Sequence, residues 1–179
     1  MIIIDKRQIQ TQKKIINALL SLIKNNSIDH ITVTDICHKA QIDRRTFYTH
    51  YNDKFTLLDA IMAQYLHDFE NVCNKKKQYN FGDGISYWFG YIDQHQHVFN
   101  LFSTPSVSDM FQHKVELLLR SQIKQNLNSN YYSVDDDSTI VTFLASAILG
   151  SMLNYIKLPE EKKVNTINEL TKLLEPYFK

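Results

Sequence analysis

The residues best suited to chemistry form a short polar run in the first third of the chain. Arginine, threonine, tyrosine and histidine side chains alternate there with apolar residues that a helix would turn inward. Guanidinium and hydroxyl groups can donate hydrogen bonds to phosphate oxygens and to the edges of bases. The run therefore predicts a surface for DNA, and its members are Arg44, Arg45, Thr46, Tyr48, Thr49 and His50.

The residues around this run predict two short helices joined by a tight turn. Thr32 and Asp35 have the spacing of a capping box, so a helix is expected to begin near Thr34. The turn falls at Gln41. Asp43 then provides an N-cap for a second helix, because its carboxylate can accept hydrogen bonds from free backbone N–H groups.

The second helix has an apolar and a polar side. Phe47 and Tyr51 are four residues apart and can point inward together. Tyr48 could instead be a core residue, but the inward direction is already taken by these two rings. For Arg44 and Arg45 the alternative to a DNA contact is a solvated pair of surface cations.

A third helix is predicted after Asn52 and Asp53, running to about Cys73. Lys54 lies in its first turn, where a cation opposes the helix dipole. We therefore expect Lys54 to have an anionic partner elsewhere, with an ordinary exposed lysine as the alternative. Because no segment rich in Ser, Gly or Pro follows, the domain boundary is placed at residue 54 as a hinge within a continuous helix.

The block TVTDICHKAQIDRRTFYTHYNDKFTLLDAI, residues 32–61, resembles the DNA-binding domain of the TetR family of transcriptional regulators. The resemblance also covers the helix predicted for residues 9–24. It implies an all-helical homodimer with a three-helix N-terminal DNA-binding domain. It also implies a C-terminal domain that dimerises and often binds a small-molecule inducer.

The resemblance implies roles for individual residues as well. The residues in phosphate-contacting places are Tyr48, His50 and Lys54. Those in base-facing places are Arg44, Arg45, Thr46 and Thr49, and Thr34 completes the expected set of DNA contacts. The family usually has Gly where this chain has Gln41. That residue must therefore adopt a left-handed conformation at some cost, or the chain must turn by another route.

Composition and charge fit this picture. Among 179 residues, 44% are hydrophobic and only four are Gly and three Pro, which favours a compact helical protein. Residues 1–55 contain nine Lys and Arg against five Asp and Glu, whereas residues 56–179 contain eleven against fourteen. The N-terminal part is thus cationic, which places a field that attracts phosphate where the motif lies.

Other classes of site and location are disfavoured. The apolar residues 1–4 are too few for a secretory signal and no apolar run is long enough to span a bilayer, so we expect a cytoplasmic protein without a membrane partner. Cys37 and Cys73 make no metal or disulfide pattern. His95 and His97, two residues apart, project to different sides of a helix, which disfavours metal. We expect no cofactor, and no nucleophile or phosphate-loop motif indicates an enzyme.

The C-terminal part contains a segment, residues 85–102, that is rich in aromatic residues and followed by a helix containing Phe111. These rings could line an effector cavity, and the alternative is ordinary core packing. The candidate pocket residues are Tyr87, Trp88, Tyr91, Phe99, Phe102 and Phe111.

A later helix, residues 140–156, is apolar nearly all round and contains small residues that allow close approach, so it must be buried on more than one side. A final amphipathic helix starts at Pro159. Two such helices from each of two subunits would make a four-helix interface, and the alternative is a central helix within one subunit. The candidate interface residues are Ile140, Phe143, Leu144, Ala147, Ile148, Ser151, Tyr155, Ile167, Leu170 and Leu174.

We thus expect an all-α protein with a DNA-binding domain at 1–54 and a helical dimerisation and effector domain at 55–179. The expected function is a homodimeric transcriptional regulator, a repressor that a small-molecule effector releases from a near-palindromic operator. The main alternative is a TetR-like DNA-binding protein that is controlled by a protein partner or that acts without an inducer. An enzyme using the His-rich segment and a structural helical adaptor are further alternatives. A clear cavity in the C-terminal half would favour the inducer model, and a filled core the protein-partner model.

Overall fold

A computed structural model describes residues 6–75, 79–105, 107–128, 132 and 138–178; residues 1–4, considered above as a signal segment, lie outside these ranges. Regular structure within the described ranges is entirely helical, as predicted. The N-terminal elements are α1 (Lys6–Ile23), a 3₁₀ turn (Ile28–His30), α2 (Val33–Ala40), α3 (Arg44–Tyr48) and α4 (Lys54–Lys75). The remainder are α5 (Phe81–Gln94), α6 (Gln96–Phe102), α7 (Ser108–Asn126), α8 (Thr139–Tyr155) and α9 (Glu160–Phe178).

The first three helices and the start of α4 share one apolar core. Ile15 and Leu19 of α1 meet Ile36 of α2, Phe47 of α3 and Leu57 of α4, and all five are fully buried. Burying a side chain of this size contributes roughly 1.5–3 kcal/mol. This core fixes the short α3, which has only five residues and could not be stable alone.

Helix α4 joins the two halves of the chain without interruption, as predicted. Its 22 residues span about 33 Å. Leu57 and Leu58 near its start pack into the N-terminal core, whereas Phe69 and Cys73 near its end pack in the C-terminal half. Helix α4 is therefore a continuous element that packs in both halves of the chain.

A polar cluster around the buried Lys163 fixes α9 against α5 and α8. The Lys163 ammonium, only 3% exposed, lies 2.8 Å from a carboxylate oxygen of Asp93 and 2.6 Å from one of Glu160. The Tyr155 hydroxyl donates a 2.7 Å hydrogen bond to the other carboxylate oxygen of Asp93. Glu160 and Lys163 both belong to α9, whereas Asp93 belongs to α5 and Tyr155 to α8, so the bonds to Asp93 hold α9 beside α5 and α8.

The aromatic segment is divided between two helices. Residues 85–102 fall in two helices, α5 and α6, that break at His95 with φ −113° and ψ 18°. The His95 ring packs on Tyr91 at 4.4 Å and on Tyr65 at 5.4 Å between centroids. No Gly or Pro marks this break. In α1, Ile9 is exposed, although the residues buried in that helix are apolar like it.

Within the described ranges, no helix is both long and apolar enough to cross a membrane.

Candidate nucleic-acid interface

The helix before the turn starts with the predicted capping box. The Asp35 backbone N–H donates to the Thr32 hydroxyl oxygen at 3.2 Å, and the Thr32 backbone N–H donates to the Asp35 carboxylate at 2.9 Å. The hydrogen bonds from the Thr32 hydroxyl and backbone hold the pKa of Asp35 below its ordinary value. This arrangement fixes where α2 begins, and Thr34 in its first turn is exposed.

Gln41 makes the turn in the left-handed conformation, with φ 55° and ψ 50°. Its backbone N–H reaches the carbonyl oxygens of Cys37 and His38 at the end of α2. Among the described residues it is the only non-glycine with positive φ. Of the two routes that the sequence left open, the chain therefore uses the left-handed conformation at Gln41. This conformation has a steric cost for any residue with a side chain.

Asp43 caps α3, as its position predicts. Its carboxylate accepts a 2.7 Å hydrogen bond from the Thr46 backbone N–H and a 2.9 Å bond from the Thr46 hydroxyl. These two bonds hold the pKa of Asp43 below its ordinary value. The Thr49 hydroxyl likewise donates to the Thr46 carbonyl oxygen at 2.7 Å. Both threonine hydroxyls predicted to face bases thus donate to groups of α3 or its N-cap, and each oxygen can still accept a hydrogen bond.

The outward side of α3 is polar and partly cationic. Arg44, Arg45, Tyr48 and Thr49 are exposed, and we call these four residues the α3 face. An Arg44 guanidinium nitrogen donates to the Tyr48 hydroxyl at 3.3 Å, and the guanidinium carbon lies 5.8 Å from the ring centroid. The pair holds a cation and a hydroxyl together on one surface. Phe47, on the opposite side of the helix, is fully buried.

Lys54 has partners that its sequence position does not suggest. Its ammonium donates 2.8 Å hydrogen bonds to the carbonyl oxygens of Asp29 and Ile31. The expected anionic partner is thus replaced by two carbonyl groups that end the 3₁₀ turn. An ammonium has three N–H groups, so one remains for another acceptor. His50, the other expected phosphate contact, is half-buried, with its ring 6.3 Å from that of Tyr51.

The residues expected to line an effector pocket mostly pack on one another. Phe99 and Phe102 lie 5.8 and 5.2 Å from Phe111 between ring centroids, and all three are essentially buried. Tyr91 donates a hydrogen bond to the Tyr65 carbonyl. These rings form a filled aromatic cluster, which is the core-packing alternative.

Two of the expected pocket residues lie elsewhere. Tyr87 is 40% exposed and its ring lies 5.5 Å from that of Tyr79. Trp88 is buried and lines a separate cavity of about 40 Å³, together with Cys73, Gln122 and Phe178. The cavity therefore lies beside the aromatic cluster where the effector pocket was predicted. Trp88 is the one predicted pocket residue that lines it.

The residues expected at a subunit interface divide into outward and inward groups. Ala147 and Phe143, the latter 57% exposed, line an apolar groove between α8 and α9. Leu144 and Tyr155 are each only 1% exposed in the single chain, and Leu144 also lines the groove. A helix that is apolar all round does not reveal which side its own subunit covers. The other expected residues, Ile140, Ile148, Ser151, Ile167 and Leu170, are half-buried, and Leu174 is buried.

The groove and the cavity also contain residues that were not among the candidate site residues. Leu173, 66% exposed, and Tyr177 line the groove between α8 and α9. Gln122 is buried in α7. Its signal in the sequence is its position, because it follows Val115 and Leu119 at helical spacing on the apolar stripe, where another apolar residue is expected.

No family model matches the chain. An uncharacterized HTH-type transcriptional regulator of Bacillus subtilis, YxbF, is 40% identical over 45 residues, which cover 25% of this chain and 12% of that protein. The HTH-type dhaKLM operon transcriptional activator DhaS of Lactococcus lactis is 32% identical over 92 residues, covering 51% of this chain and 48% of that protein. The aligned part is thus about half of the second relative's length and much less of the first's.

Solved structures agree with the chain over nearly its whole length. A TetR transcriptional regulator from Streptococcus agalactiae superposes with a TM-score of 0.66 at 21% identity, covering 95% of this chain and 96% of that one. A TetR-family regulator from Syntrophomonas wolfei gives 0.74 at 13% identity, covering 92% and 94%. A dihydroxyacetone kinase operon activator, DhaS, gives 0.61 at 22% identity, covering 94% and 98%.

The relatives named here are described as regulators of transcription and not as enzymes, in agreement with the sequence expectation. Their fold is all-helical, with an N-terminal helix-turn-helix domain and a helical C-terminal domain. The resemblance of residues 32–61 is therefore confirmed at the level of the fold, and the chain has the fold of the TetR family of transcriptional regulators.

Proposed function

We propose that the chain regulates transcription by binding double-stranded DNA through α3. The observation that carries the proposal is the α3 face, where two arginines, a tyrosine and a threonine are exposed on a helix whose other side is buried. A helix in the major groove needs this division, because donors must reach base edges and phosphates while the core holds the helix in place. In this proposal residues 1–54 form the DNA-binding domain and residues 55–179 control it.

The active unit in this proposal is a homodimer joined through α8 and α9. The groove between these helices is lined by exposed apolar side chains, among them Phe143 and Leu173, beside Ala147 and Tyr177. Exposed apolar side chains that lie together mark a candidate surface for contact with another chain. A second copy related by a two-fold axis would cover it and would present two α3 helices to the two halves of an operator.

Regulation in this proposal is repression that an effector relieves. A dimer that occupies an operator blocks access to the promoter. An effector that binds the C-terminal half more tightly in the non-DNA state would release it, since a ligand shifts an equilibrium only by its differential affinity. The continuous α4, which packs in both halves, supports such coupling.

A second candidate is regulation of the opposite sign or through a protein partner. One relative is described as an operon activator. The aromatic cluster around Phe99 and Phe111 is filled by its own rings, which favours a protein partner over a large inducer at that place. Addition of the purified regulator to transcription from a bound promoter separates repression from activation.

The proposal is tested by measuring the affinity of the protein for fragments recovered from its genome. Tyr48→Ala should weaken binding to all fragments, because a phosphate contact carries no sequence information. Arg44→Ala should cost about 1–3 kcal/mol and relax specificity at one position if it reads a guanine. Tyr79→Ala, an exposed tyrosine outside the N-terminal half, is the matched control. Equal affinity of Tyr48→Ala and Tyr79→Ala would contradict the assignment of the α3 face.

A further inference from the structure

A small cavity lies between α4, α5, α7, α8 and α9, beside the filled aromatic cluster. Its volume is about 40 Å³, and residues such as Trp88, Leu119 and Ile123 make its lining mostly apolar. One water needs roughly 10–15 Å³ of such volume. The cavity therefore has room for more than a single water.

Among the described residues, one buried polar side-chain atom without a hydrogen-bond partner belongs to a residue that lines this cavity. Gln122 lines the cavity and is only 5% exposed. Its side-chain oxygen Oε1 accepts no hydrogen bond from any residue in the described part of the chain. Buried acceptors in folded proteins nearly always have a donor, because an unmade hydrogen bond lowers stability. A leucine at this position would fill similar space without that cost.

We propose that this cavity is a binding subsite for a small uncharged ligand that has an apolar body and one N–H or O–H donor. The donor bonds to Oε1 of Gln122, and the apolar body contacts the hydrocarbon lining. This inference rests on the proposed function as an effector-controlled regulator. Anions would face an acceptor oxygen, and ions of either sign would lose their hydration among apolar side chains, so charged groups do not fit the subsite.

The subsite lies where it can act on both α4 and the subunit groove. Cys73, near the end of α4, lines the cavity. Ile148 and Leu174 line both the cavity and the groove between α8 and α9. The rings of Phe81 and Phe178, also at the cavity, stack at 5.7 Å. Because the cavity is small, a larger ligand must move some of these residues, and such movement changes the end of α4 or the groove.

Pyrrole and furan are a matched pair of probes, because the two rings have similar size and only pyrrole carries an N–H donor. Trp88 is the only tryptophan of the chain, so its indole N–H gives a single signal that reports on the cavity in a ¹H–¹⁵N spectrum. We expect pyrrole to shift this signal and to bind about fivefold more tightly than furan, which is the value of one net hydrogen bond of about 1 kcal/mol.

Gln122→Leu removes the acceptor and should abolish the preference for pyrrole over furan, and Gln122→Met is a second variant of similar volume. Gln125→Leu makes the same change at an exposed position of α7 and should behave as the wild type. Failure of pyrrole to bind, equal binding of the two probes by the wild type, or a preference retained in Gln122→Leu would overturn the proposal.

DNA binding is measured on the same samples without a probe, which separates the two proposals. Normal operator binding with no pyrrole preference contradicts the subsite alone. Absence of operator binding with the pyrrole preference intact contradicts the proposed function and supports the subsite as a ligand site.

Discussion

The ammonium nitrogen of Lys54 lies 2.8 Å from the carbonyl oxygen of Ile31. Lys54 is the first residue of α4, and Ile31 immediately precedes the N-cap of α2. A second bond of the same length reaches Asp29. The pair therefore ties the helix that links the two halves of the chain to the segment that starts the helix-turn-helix.

Replacing Lys54 by Met should loosen this connection. Hydrogen bonds from a charged group contribute roughly 1.5–3 kcal/mol each when buried, and partial exposure reduces that to about 2 kcal/mol for the two together. Denaturant unfolding measures the loss, with Lys172→Met, an exposed lysine of α9, as control.

If the remaining N–H of Lys54 also contacts a phosphate, the salt dependence of DNA binding should fall by about one unit of slope in Lys54→Met. If Lys54→Met is as stable as the wild type, Lys54 has no structural role. If the salt dependence of its DNA binding is unchanged, Lys54 makes no phosphate contact.

Gln41→Gly should stabilise the protein. The left-handed conformation costs a side-chain-bearing residue about 1–2 kcal/mol and costs Gly nothing, although Gly also gains freedom in the unfolded chain. We expect a net gain of about 0.5–1 kcal/mol in the free energy of unfolding. Gln12→Gly, at an exposed position inside α1, is the opposite control and should lose about 1 kcal/mol. If Gln41→Gly lowers the free energy of unfolding as much as Gln12→Gly does, the backbone at Gln41 is not strained.

Phe143→Asp should separate the proposed dimer without unfolding the subunit, because Phe143 is 57% exposed in the single chain. An aspartate there would be buried without a partner in the interface. Leu117→Asp changes a similarly exposed residue of α7 outside the groove and serves as the control. Analytical ultracentrifugation gives the masses. A Phe143→Asp protein that remains dimeric places the interface elsewhere.

The helix caps predict how acid affects the helix-turn-helix. Hydrogen bonds from Thr32, Thr46 and Thr56 hold the pKa values of Asp35, Asp43 and Asp53 below the ordinary 3.8. Each carboxylate therefore adds stability that is present above its unfolded pKa and is lost as the pH falls through its folded pKa. Unfolding free energies measured from pH 6 down to pH 2 should show this decline below about pH 4.

Asp43→Asn keeps a capping side chain that does not titrate, so its decline with acid should be shallower than that of the wild type. Identical pH profiles for the two proteins would contradict a contribution from Asp43.

The local parts of the site could be predicted because their causes are local. The Thr32–Asp35 box and the Asp43 cap each act over three residues, and the spacing of Phe47 and Tyr51 is that of one helical turn. The position of the turn at Gln41 followed from the two capped helices on either side of it, and the left-handed conformation was one of the two routes open there. Each of these features depends on neighbours in sequence.

The remaining features depend on residues far apart in sequence. The Lys54 partners lie 23 and 25 residues earlier in the chain. Tyr155 is buried against Phe89 of α5, and an all-round apolar pattern in α8 does not indicate which side α5 covers. The cavity at Gln122 is formed by five helices, so its place depends on how they pack.

The central claim is that the protein is a dimeric regulator that binds DNA through two α3 helices. The DNA sequences that it selects test this claim most directly. The purified protein is mixed with fragments of its genome, and the bound fragments are sequenced and footprinted. We predict a near-palindrome with half-sites one helical turn apart, about 34–36 Å, or a multiple of that distance, and two chains on each operator. A single unrepeated half-site bound by one chain, or no sequence enriched over bulk DNA, would contradict the claim.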